Sequence, residues 1–214
     1  MSEAAAPRVE GSFVRARLGS LVAIHPLGVW TVIHLWDNLA AFQGAAAWEE
    51  SVTRAGHPLA HFGTLLVVLV PLLMHTAWGI SRLRTARPNN ARYGFFANLK
   101  YVVQRVSAVG VMLFLGAHVW KAMLEPRYVK GHPETFADIS YQMAHHTPTL
   151  VVYVLGTLGV TYHLTNGLST FAVGWGLVGS RRALQKLELV GWLAFAVLLL
   201  VAWGVLFAMW RAGR

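Results

Sequence analysis

Five long apolar runs constrain this chain more than any other feature of its sequence. We place them at residues 18–42, 59–84, 99–123, 147–175 and 187–211. As a helix, each run is long enough to cross a hydrocarbon core of about 30 Å. Helices satisfy their backbone hydrogen bonds internally, as lipid requires. The sequence therefore predicts an all-α, integral membrane bundle of five transmembrane helices, with residues 1–214 forming a single domain.

The composition agrees with a membrane protein and argues against other classes. Hydrophobic residues make up 56% of the chain and charged residues 13%, whereas soluble domains carry about 25% charged residues. The net charge of +9 would suit nucleic-acid binding, but the basic residues stand in short clusters between apolar runs, so we expect no nucleic-acid partner. The lack of cysteine excludes disulfides, thiolate ligation of iron–sulfur clusters and covalent haem attachment in this chain.

The basic clusters alternate along the chain and indicate an orientation. They precede the first run and fill the segments between the second and third and between the fourth and fifth runs: Arg8, Arg15, Arg17, Arg82, Arg84, Arg87, Arg92, Lys100, Arg181, Arg182 and Lys186. Because cytoplasmic loops are rich in Lys and Arg, we expect a cytoplasmic N-terminus and a C-terminus outside. The first residues lack the apolar core of a signal peptide, so we expect an uncleaved first span.

Four of the ten histidines lie inside apolar runs, each in a different one: His34, His75, His118 and His163. Ionisable groups inside a bilayer are costly and usually functional. The rise of a helix places His34 and His118 about 10–12 Å from the predicted outer ends of their spans. The same rise places His75 and His163 about 24–25 Å from the outer starts of theirs. The histidines therefore form two pairs at two depths.

Facing imidazoles in a helical bundle are typical of a cofactor site. Two imidazoles saturate a haem iron and leave no position for oxygen, which suits electron transfer. We therefore predict two b haems, and His34, His75, His118 and His163 as the ligands of their irons. Gly79, Gly159 and Gly167 lie four residues from a predicted ligand. They either make room for a flat macrocycle or serve helix contacts.

Other readings of the histidines remain open. Any one intramembrane histidine is as easily a hydrogen-bonded core residue, but four on four helices at matched depths favour ligands. His25 also lies in the first run, before Pro26. It would serve the inner pocket, a quinone site or a helix kink. We expect the remaining five histidines to be solvated or interfacial: His57, His61, His132, His145 and His146.

Several motifs together resemble the di-haem, five-helix cytochrome b subunit of succinate:quinone oxidoreductases, that is, of succinate dehydrogenases and fumarate reductases. They are RLGSL from Arg17, HLWDN from His34, PLLMH-x-x-WG around His75, VVQRVSAVG before HVW, and HLTNGLSTFAVGWG from His163. Each motif alone is weak. Their order and the spacing of the four histidines are specific, and the resemblance spans nearly the whole chain.

The resemblance implies a multi-pass protein of the bacterial cytoplasmic membrane that anchors two soluble subunits on the cytoplasmic side, an FAD flavoprotein and an iron–sulfur protein. Electrons would pass from succinate through these subunits to a proximal haem on His75 and His163. They would continue to a distal haem on His34 and His118 and then to a quinone, usually menaquinone. Succinate oxidation and fumarate reduction use the same parts, so the direction stays open.

Further site residues follow from this scheme. Arg17, Ser20, Gln104 and Arg105 lie at the predicted inner ends of the first and third spans, where they would contact haem propionates or the pocket; anchoring of the chain by its positive charges is the alternative for the arginines. Glu50 is our prediction for a proton acceptor at a distal quinone site, against the alternative of a solvated loop acid. Some relatives carry a carboxylate beside the fourth histidine, but Tyr162 and Leu164 flank it here, so a transmembrane proton path does not carry over.

Two other functions fit part of the pattern. A di-haem anchor of another dehydrogenase, such as formate dehydrogenase or a hydrogenase, would usually show a different arrangement of histidines. A small transporter whose histidines relay protons would be colourless. The b-type absorption band on reduction separates these readings.

Overall fold

Helices form nearly all of the molecule that the computed structural model describes, which is residues 17–53, 62–89, 92 and 94–214. In chain order they are α1 Arg17–Phe42, α2 Ala45–Trp48, α3 Phe62–Arg84, α4 Phe96–Lys130, α5 Phe136–His145, α6 Thr147–Gly174 and α7 Arg181–Ala212. The described ranges contain no strand. The predicted all-α class is confirmed. The first three residues of the second predicted run and Arg8, Arg15, His57 and His61 lie outside the described residues.

Four helices are long and apolar enough to cross a membrane: α1, α3, α4 and α7. The predicted fourth run coincides with the 28-residue helix α6. Among the described residues, α6 is not one of the four helices that are apolar enough to cross a membrane. The helical membrane bundle is thus confirmed, while five spans and their orientation stay predictions.

Helix α6 is less apolar than those four helices because it lies inside the bundle, packed against α4 and α7. Thr161 and Thr165 are buried there, at 0% and 5% exposure. Their hydroxyls donate to the carbonyls of Thr157 and Thr161 at 2.9 and 2.8 Å. A hydroxyl satisfied by its own helix can be buried without a partner elsewhere. The polar residues of α6 therefore fit a central helix.

The outer surface of the bundle is apolar. Leu73 on α3, Leu113 on α4 and Leu200 on α7 are 69%, 66% and 73% exposed, and many neighbouring aliphatic and aromatic side chains are exposed with them. A contiguous apolar exterior of this size is unfavourable in water and suits lipid. The chain is a multi-pass membrane protein.

Two features of the helix ends differ from the prediction. The third predicted span ends at residue 123, but α4 continues to Lys130. The segment that follows lies between the third and fourth predicted runs, yet it contains a further helix, α5, whose start is capped by Thr135 Oγ1 accepting from Asp138 N at 3.1 Å. A side chain that satisfies a free amide is a common helix start. The cap is a local signal, but the apolar pattern of so short a helix is weak.

Candidate functional site

A cavity of about 1060 Å³ lies inside the bundle, and all four intramembrane histidines line it. Pockets for one drug-sized ligand measure about 300–1,000 Å³, so this cavity is large for a small ligand. Its wall is formed mainly by α1, α3, α4 and α6, with one side of α7 closing one end. The cavity is therefore placed where side chains of four different helices converge.

The structure brings the histidines together in two pairs of nearly equal geometry. The ring centroids of His34 and His118 are 6.0 Å apart with an interplanar angle of 65°. Those of His75 and His163 are 6.2 Å apart at 63°. Two imidazoles that bind one metal ion from opposite sides through bonds of about 2.0–2.1 Å have centroids about 6.4 Å apart. Both pairs therefore have the spacing of two ligands on one ion.

Three of the four rings are held through Nδ1. His75 Nδ1 lies 3.0 Å from Gly19 O, and because a carbonyl only accepts, this nitrogen carries the proton. His118 Nδ1 lies 3.2 Å from the Tyr153 hydroxyl, and His163 Nδ1 lies 3.3 Å from Ser107 Oγ. The proton on His75 Nδ1 leaves the lone pair of this ring on Nε2, the usual arrangement for a metal-binding imidazole with an outer partner.

His34 is held by packing. Its ring stacks on Trp30 at a centroid distance of 4.7 Å and an angle of 9°. Below it, Asn38 Nδ2 donates to the His34 carbonyl at 2.8 Å, and Trp48 Nε1 donates to Asn38 Oδ1 at 3.0 Å. The HLWDN motif thus fixes the end of α1 against Trp48.

The predicted pocket residues Arg17, Ser20, Gln104 and Arg105 all line the cavity, on the side of the His75–His163 pair. Arg17 Nε donates to Gly174 O at 2.6 Å, which ties the start of α1 to the end of α6. Ser20 Oγ donates to Arg17 O at 2.6 Å and accepts from Trp175 Nε1 at 3.1 Å. This end, which Arg17, Arg82 and Arg105 line, is called the arginine end below.

Arg105 and Gln104 have different roles in the arginine end. The Arg105 guanidinium lies 3.3 Å above the Tyr101 ring, and its Nε is buried without a hydrogen-bond partner, so it has a donor left for an anion. Gln104 Nε2 donates to His163 O at 3.1 Å and lies 3.2 Å from His163 Nδ1. Gln104 Oε1 accepts from Asn166 Nδ2 at 2.7 Å. Gln104 thus positions His163.

The opposite end of the cavity, called the Glu134 end, is lined by Asp37, Arg127 and Glu134 near the His34–His118 pair. Glu134 is only 3% exposed. Burial raises the pKa of its carboxyl to about 7, and the nearby carboxylates of Asp138 and Glu125 add to that shift. Glu50 is exposed, on the short π-helix Glu49–Thr53, and does not line the cavity.

Tyr153, Arg82 and Glu134 were not among the predicted site residues. Two of them carry a sequence signal. Tyr153 precedes His163 by ten residues on one helix, or about 15 Å, which puts it at the depth of the other pair. Arg82 follows His75 by seven residues, two turns on the same face. Glu134 has no such signal, because its burial depends on how α5 packs.

The remaining histidines lie elsewhere. His25 is exposed and does not line the cavity. Its φ and ψ of −134° and 118° break the helical geometry of α1, so the residue marks a kink. His132, His145 and His146 are exposed. Of the predicted spacer glycines, Gly79 and Gly167 line the cavity, while a Cβ added at Gly159 would lie 3.5 Å from Val111 Cγ2, in ordinary contact with α4.

The donor set fits a haem. Among the described residues, no three or more His, Cys, Asp or Glu side chains are grouped to hold a metal ion. A bare ion would need such a group, whereas a porphyrin iron needs only two axial ligands. Each pair supplies two imidazoles and no more. The arginine end supplies cations and a free donor, as propionates require.

No family model matches this chain. It is similar to the protein named succinate dehydrogenase cytochrome b558 subunit of Bacillus subtilis (strain 168). The two are 28% identical over 197 residues, which cover 92% of this chain and 96% of the relative. The similarity thus extends over most of both chains.

Proposed function

We propose that this member of the family of succinate dehydrogenase cytochrome b subunits carries two b haems, one between His34 and His118 and one between His75 and His163. The chain is a cytochrome b membrane anchor of an oxidoreductase complex. In our proposal it passes electrons from an iron–sulfur subunit to a quinone, with menaquinone as the expected partner.

One observation supports this function above all. Two histidine pairs on four helices share one centroid distance and one angle within 0.2 Å and 2°. Packing alone gives no reason for two such pairs in one apolar cavity. An imidazole inside a bilayer is unfavourable unless it is bonded. Two equal ligand pairs provide that bond twice.

The residues of the chain perform three tasks in this proposal. The Nδ1 partners Gly19, Tyr153 and Ser107 orient the rings, and the Gly19 carbonyl keeps the proton of His75 on Nδ1 and so leaves its Nε2 unprotonated. His34 with His118, and His75 with His163, would each hold one iron with two imidazoles, which would leave no position for dioxygen. The apolar walls exclude water and thereby favour a stable electron carrier. Bound haems would supply one-electron transfer between the two ends of the cavity.

The arginine end is the proposed docking side for the soluble subunits. Arg17, Arg82 and Arg105 are placed to hold the propionates of the haem on His75 and His163. The positive-inside pattern predicts that this end faces the cytoplasm. A flavoprotein and an iron–sulfur protein, as expected for a succinate dehydrogenase subunit, would bind there. The quinone is proposed to bind toward the His34–His118 pair, with Glu50 as the acid predicted from the sequence.

Redox difference spectroscopy of single-histidine variants tests the ligand assignment. Purified wild type is expected to bind two b haems per chain, measured as pyridine haemochrome. His34→Ala, His118→Ala, His75→Ala and His163→Ala should each lose one haem and spare the other, with members of a pair losing the same one. His25→Ala is the control, because the residue is exposed and outside the cavity.

Other outcomes would reject the proposal. A colourless wild-type protein would indicate a transporter or another function. Full haem content in both His34→Ala and His75→Ala would end the ligand assignment. The proposed partners are supported if wild type is isolated together with an FAD-containing subunit and its haems are reduced by succinate. They are contradicted if the haems of such a complex stay oxidised after succinate is added.

A further inference from the structure

Glu134 is a buried carboxyl group in the cavity wall that the proposed function leaves without a role. It lies between α4 and α5, is 3% exposed and borders the Glu134 end of the cavity. Neither carboxyl oxygen has a hydrogen-bond partner. A buried carboxylate without donors is strongly unfavourable, so such a group is usually protonated or used.

The charged neighbours of Glu134 are already paired with one another. Lys121 lies 2.7 Å from Glu125 Oε2, and Lys130 lies 3.8 Å from Asp138 Oδ2. All four act electrostatically on Glu134. The cluster therefore contains three carboxyl groups and two ammonium groups. It is neutral when Glu134 is protonated and carries one negative charge when Glu134 is ionised.

The other groups facing Glu134 connect it to the nearer histidine pair. Tyr153 on α6 interacts electrostatically with Glu134, and its hydroxyl lies 3.2 Å from His118 Nδ1. Asp37 and Arg127 line the same end of the cavity. From α7, apolar Met209 and Val205 close the wall. In so apolar a setting, charges interact over longer distances than in water.

We propose that Glu134 binds a proton when the site between His34 and His118 gains an electron, and releases it when the electron leaves. One electron and one proton enter together, so the net charge of the Glu134 end does not change. The proton comes from solvent and remains on the carboxyl group, and no bond to the iron or its ligands is broken. This inference rests on the proposed haem at that pair.

The pKa of the Glu134 carboxyl group suits this role. Its pKa is raised to about 7, so that near neutral pH a small change in the local field decides whether the group is protonated. An added electron nearby favours the protonated form and shifts the pKa further upward. Coupling of this kind is reciprocal, so proton binding must raise the reduction potential of the haem.

The test is a redox titration of the protein carrying both haems, from about pH 5 to pH 9. We expect the potential of the His34–His118 haem to fall with rising pH, by up to about 59 mV per tenfold change in proton concentration. The potential of the His75–His163 haem should change much less. The single-histidine variants identify which haem is which.

Glu134→Gln should remove the pH dependence at the first haem and leave the second unchanged. In the infrared redox difference spectrum, a carboxyl C=O band present in wild type should be lost. Glu188→Gln is the matched control, because this carboxylate is paired with Lys100 near the other end of the bundle. It should keep the wild-type slope and the carboxyl band.

Each other result decides against the proposal. If wild type binds two haems whose potentials do not depend on pH, this inference fails and the proposed function stands. If wild type binds no haem, the proposed function itself fails. If Glu50→Gln removes the slope while Glu134→Gln retains it, the proton acceptor is Glu50 and not Glu134.

A second variant covers the case in which Glu134→Gln does not assemble. Lys130→Gln keeps the carboxyl group and removes a cation that favours its ionised form. The pH-dependent range of the His34–His118 haem should then move upward. An unmoved range in an assembled Lys130→Gln protein would overturn the proposal.

Discussion

The two histidine pairs have nearly the same geometry and opposite surroundings. The His75–His163 pair lies toward three arginines, Arg17, Arg82 and Arg105. The His34–His118 pair lies toward Asp37 and the buried Glu134. Positive charge stabilises the reduced form of a nearby redox group and negative charge destabilises it. If each pair holds a haem as proposed, equal rings in unequal fields predict a higher reduction potential for the haem at the arginine end.

The two pairs also differ in how their rings are held. His163 contacts Ser107 and Gln104, and His75 contacts a backbone carbonyl. At the other pair, Tyr153 is the hydrogen-bond partner of His118, and His34 stacks on Trp30. Hydrogen bonds reach both rings of the first pair, where Trp78 also stacks on His75, whereas aromatic rings stack on both rings of the second pair. The spacing of the paired histidine rings and the contacts that support them are therefore set separately, so each can be altered alone.

The largest effect is expected from replacing a glycine beside each histidine pair with alanine, which should disturb one pair and not the other. A Cβ at Gly19 would overlap the indole of Trp78, whose ring lies 5.9 Å from that of His75. A Cβ at Gly156 would overlap Phe114, which stacks on His118 at 5.6 Å. Overpacking costs about 1–3 kcal/mol. Gly19→Ala should deplete the His75–His163 haem, and Gly156→Ala the His34–His118 haem, in reduced-minus-oxidised spectra.

Gly110→Ala is the control for both glycine variants, since a Cβ there meets no atom within 4 Å. It should retain both haems at wild-type content. Depletion of the same haem by Gly19→Ala and Gly156→Ala would show that the two pairs are not independent sites.

A smaller effect is expected from the ring partners. Tyr153→Phe removes the hydroxyl beside His118 Nδ1, and loss of an outer partner lowers metal affinity by about 10–100-fold. Ser107→Ala should have less effect on its own haem, because Gln104 still donates to the His163 carbonyl. Haem loss to an apoprotein acceptor, followed over time, measures both. Equal rates of haem loss in Tyr153→Phe and Ser107→Ala would refute the proposed difference in how the two histidine pairs are held.

The sequence predicts the bundle and the pairs for one physical reason. A transmembrane helix converts sequence distance into depth at a fixed rise, so His34 and His118 can be matched in depth without knowing the packing. The same reasoning places Arg17 and Gln104 beside the His75–His163 pair. It works as long as the segment is a continuous helix.

The Glu134 end could not be predicted in this way. Glu134 stands in a polar stretch after the third run and reads as a solvated loop acid, whereas the structure buries it under α5. That burial depends on contacts between α5 and α7, which no local pattern encodes. Glu50 also stands in a polar stretch after an apolar run, as Glu134 does, and yet it is exposed. Acids in loops are distinguished only by tertiary packing.

The smallest effect is expected from removing a single exposed positive charge at the arginine end, which tests the electrostatic field there. Arg82 and Arg84, two residues apart on the same helix, are both exposed, but Arg82 lines the cavity near Arg105 and Arg84 does not line it. Arg82→Gln should lower the potential of the His75–His163 haem by an amount on the order of 20 mV, because solvent screens a partly exposed charge. Arg84→Gln should shift it less, and neither should move the other haem. Equal shifts in the two variants would mean that overall charge, and not the arginines of the cavity wall, sets the difference between the pairs.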